Sequence, residues 1–183
     1  MKPYYKDNVK LLYTDTDSLV YEIKTNNIYK DIASKELHDN FDFSKYSDKH
    51  IAFEGYTEKE IKEIKKTSGV IGKFKDEKNG EPIQEFIGLK PKMYSAYLKD
   101  DEKEVSKKAK GIPKATSKKI KHEDYINCSK SPIIKEETFH TIKSDKHILK
   151  TVKLTKNSLS SFDDKRYYTD LINSRAIGHY LNK

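Results

Sequence analysis

The stretch VKLLYTDTDSLVYEI, residues 9–23, sets two apolar segments around a short polar centre. Apolar and polar residues alternate on both sides of that centre, which is the period of a β-strand. Along the first segment, Leu11, Tyr13 and Asp15 are expected to share one face. We therefore predict a hairpin of two short strands whose bend is formed by residues 14–18.

A helix is predicted directly after the hairpin. Apolar side chains recur there at a spacing of four residues, which is typical of one face of an amphipathic helix. These side chains are Tyr29, Ala33, Leu37 and Phe41. Asn27 can cap the start of this helix. Residues 42–56 follow neither period and are predicted to form a loop.

Short elements separated by turn residues are predicted next. Residues 57–60 (Thr-Glu-Lys-Glu) fit a capping box at the start of a short, highly charged helix. Residues 70–76 are predicted to form a strand, followed by a turn at residues 79–80 (Asn-Gly). The pattern of residues 84–98 predicts one long or bulged strand, with Pro91 at an edge or an irregularity.

The composition indicates a basic protein with a small core. The 183 residues include 37 Lys and Arg against 29 Asp and Glu, a formal net charge of +8, and only 34% are hydrophobic. No apolar segment reaches the roughly 20 residues of a membrane helix. The single cysteine, Cys128, excludes an internal disulfide and a cysteine-based zinc cage. We therefore expect an intracellular protein with no membrane segment, and the positive excess favours a polyanionic partner.

Two lobes are predicted, divided near residue 100. The second lobe, residues 100–183, begins with a lysine-rich stretch that has few apolar residues. Within it, residues 122–128 are predicted to form a short helix and residues 139–154 two short strands. The expected fold class is α+β, with an antiparallel sheet and a helix in residues 1–99 and a small basic lobe after them.

Asp15 and Asp17 form the chemically most informative pair. Carboxylates two residues apart in an extended chain emerge on the same face, where they repel each other unless a cation lies between them. Mg²⁺ is bound by one or two carboxylates together with substrate phosphates, so a pair on a rigid hairpin suits it. A solvated turn that links two strands explains the same D-x-D pattern without any ligand.

Three chemistries use such a pair. A calcium-binding helix–loop–helix motif is excluded, because Val20 stands where glycine is required and Asn26 where the bidentate glutamate is required. An aspartyl-phosphate phosphatase also places D-x-D after an apolar strand, but a loop and a helix follow there, whereas residues 19–23 suggest a return strand. A polymerase palm presents carboxylates at a hairpin tip to two Mg²⁺ ions.

Tyr13-Thr-Asp-Thr-Asp-Ser18 resembles motif C of the B-family DNA polymerases, whose pattern is Y-x-D-T-D-S. Later segments are similar, in the same order, to the region after motif C in the viral and mobile-element members, the protein-primed, Maverick-transposon-like group. These segments are residues 72–77, 88–95, 108–111 and 162–167. The resemblance covers nearly the whole chain. It implies the C-terminal part of a palm for residues 1–99, and a thumb-like region with a C-terminal tail for residues 100–183.

The resemblance implies roles in template-directed nucleotidyl transfer to a primer 3′ end. Asp17 matches the aspartate that ligates catalytic metal, and Asp15 matches its less direct companion. Both are therefore implied as catalytic residues and as ligands of Mg²⁺, of which the intact enzyme holds two ions. Tyr13, Thr16 and Ser18 match positions that line the nucleotide site.

Lys92-Met-Tyr94 resembles the K-x-Y motif that grips the primer strand. A lysine can neutralise a phosphate, and a tyrosine two residues later shares its face of a strand, which agrees with this role. The basic stretch up to residue 121 resembles the start of a thumb, which packs along product duplex, although a solvated surface explains its lysines equally well. The implied DNA-contacting lysines of this stretch are Lys107, Lys108, Lys110, Lys114, Lys118 and Lys119.

Two motifs that polymerase chemistry requires are not found. The D-x-x-S-L-Y-P context of motif A is absent, and residues 153–158 imitate only the first half of motif B, on the wrong side of motif C. The chain is therefore expected to be a C-terminal fragment that is inactive alone. Its implied partners are primer–template DNA, a deoxynucleoside triphosphate, the missing palm, fingers and exonuclease regions, and a terminal protein, at a site of viral or mobile-element DNA replication. The alternatives are a non-catalytic DNA-binding remnant and, less favoured, a phosphatase with Asp15 as nucleophile.

Overall fold

The computed structural model describes residues 1–98, 106–131, 133–163, 165–170 and 173–182. The described residues form an α+β fold of five short α-helices and mostly antiparallel strand pairs, as the sequence predicts. The chain divides into two compact units, Met1–Ile83 (unit 1) and Gln84–Lys183 (unit 2). The boundary predicted near residue 100 lies outside the described residues.

Unit 1 begins with a helical turn and the predicted hairpin. Helix α1 (Lys2–Tyr5) precedes strand β1 (Val9–Asp15), which pairs antiparallel with β2 (Ser18–Ile23). Asp15 pairs with Ser18, so the turn consists of Thr16 and Asp17 alone and is narrower than the predicted bend. The prediction of two short strands around the carboxylate pair is confirmed.

A β-bulge determines which side chains share a face of this hairpin. Leu11 is opposite Tyr21 and Tyr13 is opposite Val20, so Leu12 is an extra residue in β1. Opposite residues of an antiparallel pair lie on the same face, whereas adjacent residues of one strand lie on opposite faces. The predicted shared face of Leu11 and Tyr13 is therefore wrong, because the bulge reverses the alternation between them.

The helix predicted after the hairpin is much shorter than expected. Asn27 caps it as predicted, since its side chain accepts two backbone N–H groups of the first turn, but α2 comprises only Ile28–Ile32. Tyr56 donates its hydroxyl to the carbonyl oxygen of Ala33 at 2.6 Å. A longer helix would use that carbonyl for its own ladder, so this contact favours an early end.

The core of unit 1 is built largely from the segment predicted to be a loop. Strand β3 (Phe41–Asp42) precedes a 3-10 turn at Ile51–Phe53 and helix α3 (Glu58–Ile64). The buried apolar side chains are Ile32, Ala33, Phe43, Tyr46, Ala52, Phe53 and Ile61. Four of these seven lie within residues 42–56, where aromatic side chains pack without a regular period.

Two of the short elements predicted next are confirmed and one is reduced. Thr57 and Glu60 form the predicted capping box before α3. The strand predicted over residues 70–76 shrinks to β4 (Phe74–Lys75), which pairs in parallel with β3. Gly72 has a φ of 88°, which interrupts extended backbone and explains the loss. The predicted Asn-Gly turn at residues 79–80 is present, with φ of 55° and 98°.

A polar network fastens that turn to the core of unit 1. Tyr46 donates its hydroxyl to Asp76 at 2.9 Å, and the same carboxylate oxygen accepts the backbone N–H of Gly80 at 2.8 Å. His50 Nε2 lies 3.0 Å from the carbonyl oxygen of Gly80. A Cβ added at Gly80 would lie 2.5 Å from that ring nitrogen, so the close approach requires glycine.

Unit 2 is organised around a three-stranded sheet. Its strands, in spatial order, are β5 (Ile83–Lys90), β6 (Met93–Leu98) and β7 (Ser106–Ala109). The single strand predicted over residues 84–98 is wrong, because the chain turns at Pro91 and Lys92, where Lys92 has a φ of 61°. Because β6 and β7 pair with each other, residues on both sides of the predicted lobe boundary belong to one sheet.

A second core lies between this sheet and a helix. After the short α4 (Lys114–Ser117), helix α5 (His122–Lys130) confirms the helix predicted over residues 122–128. The buried side chains of this core are Met93, Ala109, Ile120, Tyr125, Cys128 and Leu159. Burial raises the pKa of the Cys128 thiol, which agrees with its expected role as a small packed side chain.

Two hairpins complete unit 2. The strands predicted within residues 139–154 are present but longer, as β8 (Lys135–Asp145) and β9 (Ile148–Leu159). The short β10 (Arg166–Tyr168) pairs with β11 (Ser174–Ala176). Asp164, within the motif at residues 162–167, lies outside the described residues. Among the helices that the structure describes, none is both long enough and apolar enough to span a membrane.

Candidate functional site

The carboxylate pair lies at the tip of the β1–β2 hairpin. Asp15 ends β1 and Asp17 is the second turn residue, so the predicted placement of both carboxylates on one face of an extended strand is wrong. Thr16 has a φ of 59°, a conformation that β-branched residues rarely adopt. Ser18 Oγ donates to the carbonyl oxygen of Asp15 at 3.1 Å, and Thr16 Oγ1 donates to Asp15 Oδ1 at 3.3 Å. The neighbours of Asp15 thus hold both its backbone and its carboxylate.

The motif side chains lie on the less exposed face of the hairpin. Tyr13 and Asp15 are opposite Val20 and Ser18, and all four are half-buried. On the other face, Leu11 is 50% exposed. The bulge therefore turns Tyr13 and Asp15 to one side together and separates them from the apolar start of β1.

Asp15 and Asp17 suit Mg²⁺ by the chemistry of their donors. Carboxylate oxygens are hard ligands, and one or two of them commonly hold Mg²⁺ together with water and substrate phosphates. Within the described ranges, no group of three or more His, Cys, Asp or Glu side chains is placed to hold a metal ion. A cation held by this pair would need further oxygen ligands, which water can supply.

The element that follows the pair bears on the phosphatase alternative. That alternative requires a loop and a helix after D-x-D, whereas β2 begins at Ser18 and returns along β1. The observed topology is the one expected for a hairpin that presents carboxylates at its tip. It disfavours Asp15 as a phosphatase nucleophile.

A second group of predicted site residues lies on the sheet of unit 2. Tyr94 in β6 is directly opposite Lys108 in β7, so the two share a face. The ring of Phe86 in β5 lies 5.6 Å from the ring of Tyr94, measured between centroids. An aromatic pair beside a lysine can stack a base and neutralise an adjacent phosphate. Sequence reasoning missed Phe86, because the two rings become neighbours only when the chain turns between them.

Lys92 and Tyr94 are arranged differently from the prediction. Lys92 is exposed in the turn before β6, whereas Tyr94 is the second residue of that strand. The argument that the two share a face of one strand is therefore wrong, because a turn residue with a φ of 61° does not continue the strand alternation. Both residues belong to the same β5–β6 hairpin.

The predicted DNA-contacting lysines have unequal surroundings. Lys107 is half-buried, and its Nζ donates to the carbonyl oxygens of Lys118, at 3.2 Å, and Ile120. Its ammonium group is therefore used to hold the chain after α4 against β7. The remaining lysines of this group are exposed, namely Lys108, Lys110, Lys114, Lys118 and Lys119.

The opposite face of the sheet carries a hydrogen-bonded chain of three side chains that the sequence did not reveal. His122 Nδ1 lies 2.8 Å from Ser95 Oγ, and His122 Nε2 lies 3.2 Å from Glu85 Oε2. A serine, a histidine and a carboxylate in a row are also found in serine hydrolases. Ser95 is 0% exposed, so its hydroxyl cannot meet a substrate. These hydrogen bonds instead join His122, at the start of α5, to the sheet.

Comparisons with models of protein families, with curated proteins and with solved structures give no match to this chain.

Proposed function

We propose that this chain supplies the motif C hairpin and a primer-strand contact surface of a B-family DNA polymerase. In this proposal the chain contributes to template-directed nucleotidyl transfer and acts together with a palm segment that carries motif A. The observation that carries the proposal is the tip of the β1–β2 hairpin. There a two-residue turn presents Asp15 and Asp17, and the return strand begins at Ser18.

The carboxylates at this tip would hold Mg²⁺ and orient it toward the substrates. When bound, Mg²⁺ supplies the positive charge that activates the primer 3′-hydroxyl and stabilises the charge developing on the triphosphate. Asp17 provides the more exposed ligand, and Asp15 the half-buried one, fixed by hydrogen bonds from Thr16 and Ser18. Tyr13, on the same face as Asp15, would line the site beside the nucleotide.

The sheet of unit 2 would hold the DNA strand. Lys108 and Lys92 neutralise phosphates, whereas the Phe86–Tyr94 pair packs against a sugar or a base at the primer end. These contacts do not distinguish one DNA sequence from another, because every nucleotide has a phosphate and a base face that can stack. The partners in this proposal are primer–template DNA, a deoxynucleoside triphosphate, the remaining polymerase regions and a terminal protein.

A non-catalytic DNA-binding role is the second candidate. It is favoured by the absence of a motif A sequence in these 183 residues. Both candidates predict DNA binding, but only the first predicts that the hairpin tip contributes to catalysis once the missing palm segment is supplied.

The test is a fluorescence anisotropy titration of a primer–template duplex at several salt concentrations. Each phosphate contact releases a counterion, so the logarithm of affinity should fall linearly with log salt, by about 0.9 per contact. Lys92→Ala and Lys108→Ala should each remove one phosphate contact, so the magnitude of the slope should fall by about 0.9 in each variant. An affinity that does not depend on salt, or equal binding of an uncharged polymer, would refute DNA binding and both candidates with it.

A further inference from the structure

The β8–β9 hairpin has two open strand edges. Its strands have 11 and 12 residues, and among the described strands they pair only with each other. Every residue from 142 to 151 is exposed. An isolated two-stranded hairpin is only marginally stable in water, and an open edge is a template for another strand. The hairpin would therefore gain stability from a further strand along one of its edges.

The turn of the hairpin determines which backbone groups of β8 face its open edge. The two turn residues have φ of 50° and 66°, so Asp145 and Ile148 on either side of them form a hydrogen-bonded pair. The pairing runs without a shift over residues 136–145, so hydrogen-bonded and non-hydrogen-bonded positions alternate there. Backbone N–H and C=O groups of the odd-numbered residues thus point to β9, and those of the even-numbered residues point outward.

This alternation limits how β8 can pair antiparallel with β8 of a second copy. Outward-pointing groups must meet outward-pointing groups, so an even-numbered residue must lie opposite an even-numbered residue. One register that meets this condition places His140 opposite His140 of the second copy. Because His140 is the middle residue of β8 (Lys135–Asp145), this register also uses the full length of both strands.

The register centred on His140 is self-complementary in charge. It places Glu137 opposite Lys143 of the second copy, and Lys135 opposite Asp145 of the second copy. Each pair occurs twice because the contact has two-fold symmetry. Opposite charges at directly opposed positions stabilise a strand pair. Lys135 and Asp145 also form ion pairs within their own chain, so the Glu137–Lys143 pair is the more informative one.

Neighbouring registers and the other edge lack this complementarity. A shift by two residues in one direction places Glu137 opposite Asp145, and a shift in the other direction places Lys135 opposite Lys143. Like charges placed opposite each other destabilise a strand pair. Strand β9 contains three lysines and no acidic residue, so no register of β9 with itself forms an ion pair. Charge therefore selects one edge and one register.

The same register extends the apolar contacts of the hairpin. Within one chain, Phe139 lies opposite Leu154 and Thr141 opposite Val152, and all four side chains are half-buried. In the paired strands Phe139 would lie opposite Thr141 of the second copy, so the two Phe139 rings become diagonal neighbours. Diagonal neighbours of this kind are within reach of aromatic side chains.

We propose that this chain forms a two-fold symmetric dimer through antiparallel pairing of its β8 strands, centred on His140. The dimer joins two hairpins into a four-stranded sheet and adds about ten backbone hydrogen bonds. The assembly closes at two copies, because the same edge is used in both. This inference goes beyond the proposed function and does not rest on it, since neither DNA nor the β1–β2 hairpin takes part.

The first test exchanges the charges of the Glu137–Lys143 pair and measures association of the full chain by sedimentation velocity without DNA. Glu137→Lys and Lys143→Glu each place like charges opposite each other twice in the dimer, so each should weaken dimerisation roughly tenfold or more. An equimolar mixture of the two variants should recover the dimer, because both opposite-charge pairs return in the mixed dimer. Glu137→Lys also faces Lys156 within its own hairpin, and mixing would not repair a folding defect from that contact.

The second test determines the register by disulfide formation. His140→Cys would place two thiols directly opposite each other, at a Cα separation of about 5.5 Å that suits a disulfide. Ile142→Cys, on the same exposed face, is the matched control, because its two copies would be about 13 Å apart along the strands. Oxidation should give at least tenfold more covalent dimer with His140→Cys. The wild-type chain shows the contribution of the buried Cys128, which should be small.

Several outcomes would overturn the dimer. They are a wild-type chain that stays monomeric at every concentration, a mixture no more dimeric than its separate variants, and equal cross-linking at positions 140 and 142. Assemblies that grow beyond two copies with concentration would indicate open-ended pairing of β8 with β9, and would also overturn it. None of these results bears on DNA binding, which the duplex titration tests separately.

Discussion

Lys107 and Lys108 are adjacent in β7 and identical in chemistry, yet the structure predicts opposite consequences for their loss. Replacing Lys107 with alanine should weaken the fold of unit 2 and leave intrinsic DNA affinity nearly unchanged. Replacing Lys108 should lower DNA affinity and leave the fold intact. The difference follows from the pleat, which turns the two side chains to opposite faces of the sheet.

The magnitudes follow from the contacts of each ammonium group. Lys107 Nζ donates to the carbonyl oxygens of Lys118 and Ile120, and Ile120 is a fully buried core residue. Hydrogen bonds to charged groups contribute about 1.5–3 kcal/mol each, and the two share one ammonium, so the loss should be about 2–3 kcal/mol. The exposed side chain of Lys108 should cost less than about 0.5 kcal/mol. Its DNA contact should be worth about tenfold in affinity near 0.1 M salt.

The assay combines two measurements on the same protein preparations. Amide hydrogen exchange of β6 and β7 reports on the sheet itself, and anisotropy with a primer–template duplex reports on binding. We expect Lys107→Ala to speed exchange at these amides by roughly 30- to 150-fold, which corresponds to 2–3 kcal/mol. If Lys107→Ala leaves exchange unchanged and weakens binding as much as Lys108→Ala does, the face assignment is wrong.

Three further predictions concern unit 1 and the hairpin tip. Gly80→Ala should destabilise the chain in urea denaturation by about 1–3 kcal/mol more than Gly55→Ala. Both glycines have positive φ, but only a Cβ at Gly80 meets the His50 ring, whereas Gly55 faces open space. Burial, helped by a neighbouring carboxylate, raises the pKa of the Tyr46 hydroxyl above its ordinary value of 10.0, so stability present below pH 10 should be lost as pH rises above it. Tyr46→Phe should flatten that alkaline loss in denaturation curves at pH 8–11, and an unchanged curve would contradict the assignment. Without divalent metal, Asp17→Ala should hold or raise duplex affinity, because an acidic group would be removed from the proposed phosphate-binding site. A tenfold loss of affinity in the anisotropy titration would contradict the proposal that DNA phosphate lies beside the hairpin tip.

The local elements that the sequence predicted best are those specified by near neighbours. The hairpin around Asp15 and Asp17, the Thr57 capping box and the α5 helix each depend on side chains within a few positions of one another. The fold class is correct for the same reason, since it requires only that such elements exist. Their lengths were harder to predict, as the early end of α2 illustrates, because a tertiary hydrogen bond from Tyr56 takes the carbonyl of Ala33.

The features that the sequence could not predict depend on a reversal of the chain or on a one-residue insertion in a strand. The bulge at Leu12 places Leu11 and Tyr13 on opposite faces, and no residue type at that position signals it. The turn at Lys92 requires a lysine with positive φ, where sequence rules expect glycine or asparagine. For the same reason the Phe86–Tyr94 pair was not anticipated, since the two rings meet only across that turn.

The sequence pattern also could not separate lysines that stabilise the fold from lysines that are exposed to solvent. A run of lysines in the sequence does not show that Lys107 donates hydrogen bonds to backbone carbonyl oxygens whereas Lys108 is exposed. Lys143 and Lys150 are seven residues apart in the sequence and become direct neighbours only through the register of β8 with β9.

The central claim is that the tip of the β1–β2 hairpin receives the primer 3′ end. Its most direct test is photo-crosslinking from a primer whose terminal nucleotide is 4-thiothymidine, annealed to template and bound to the full chain with Mg²⁺, followed by peptide mapping. We expect crosslinks within residues 13–21, and fewer crosslinks to these residues when the same base is placed several nucleotides from the 3′ end. Crosslinks from the 3′ terminus that avoid residues 13–21, under conditions where the duplex is bound, would contradict the assignment of this hairpin as a polymerase active-site element.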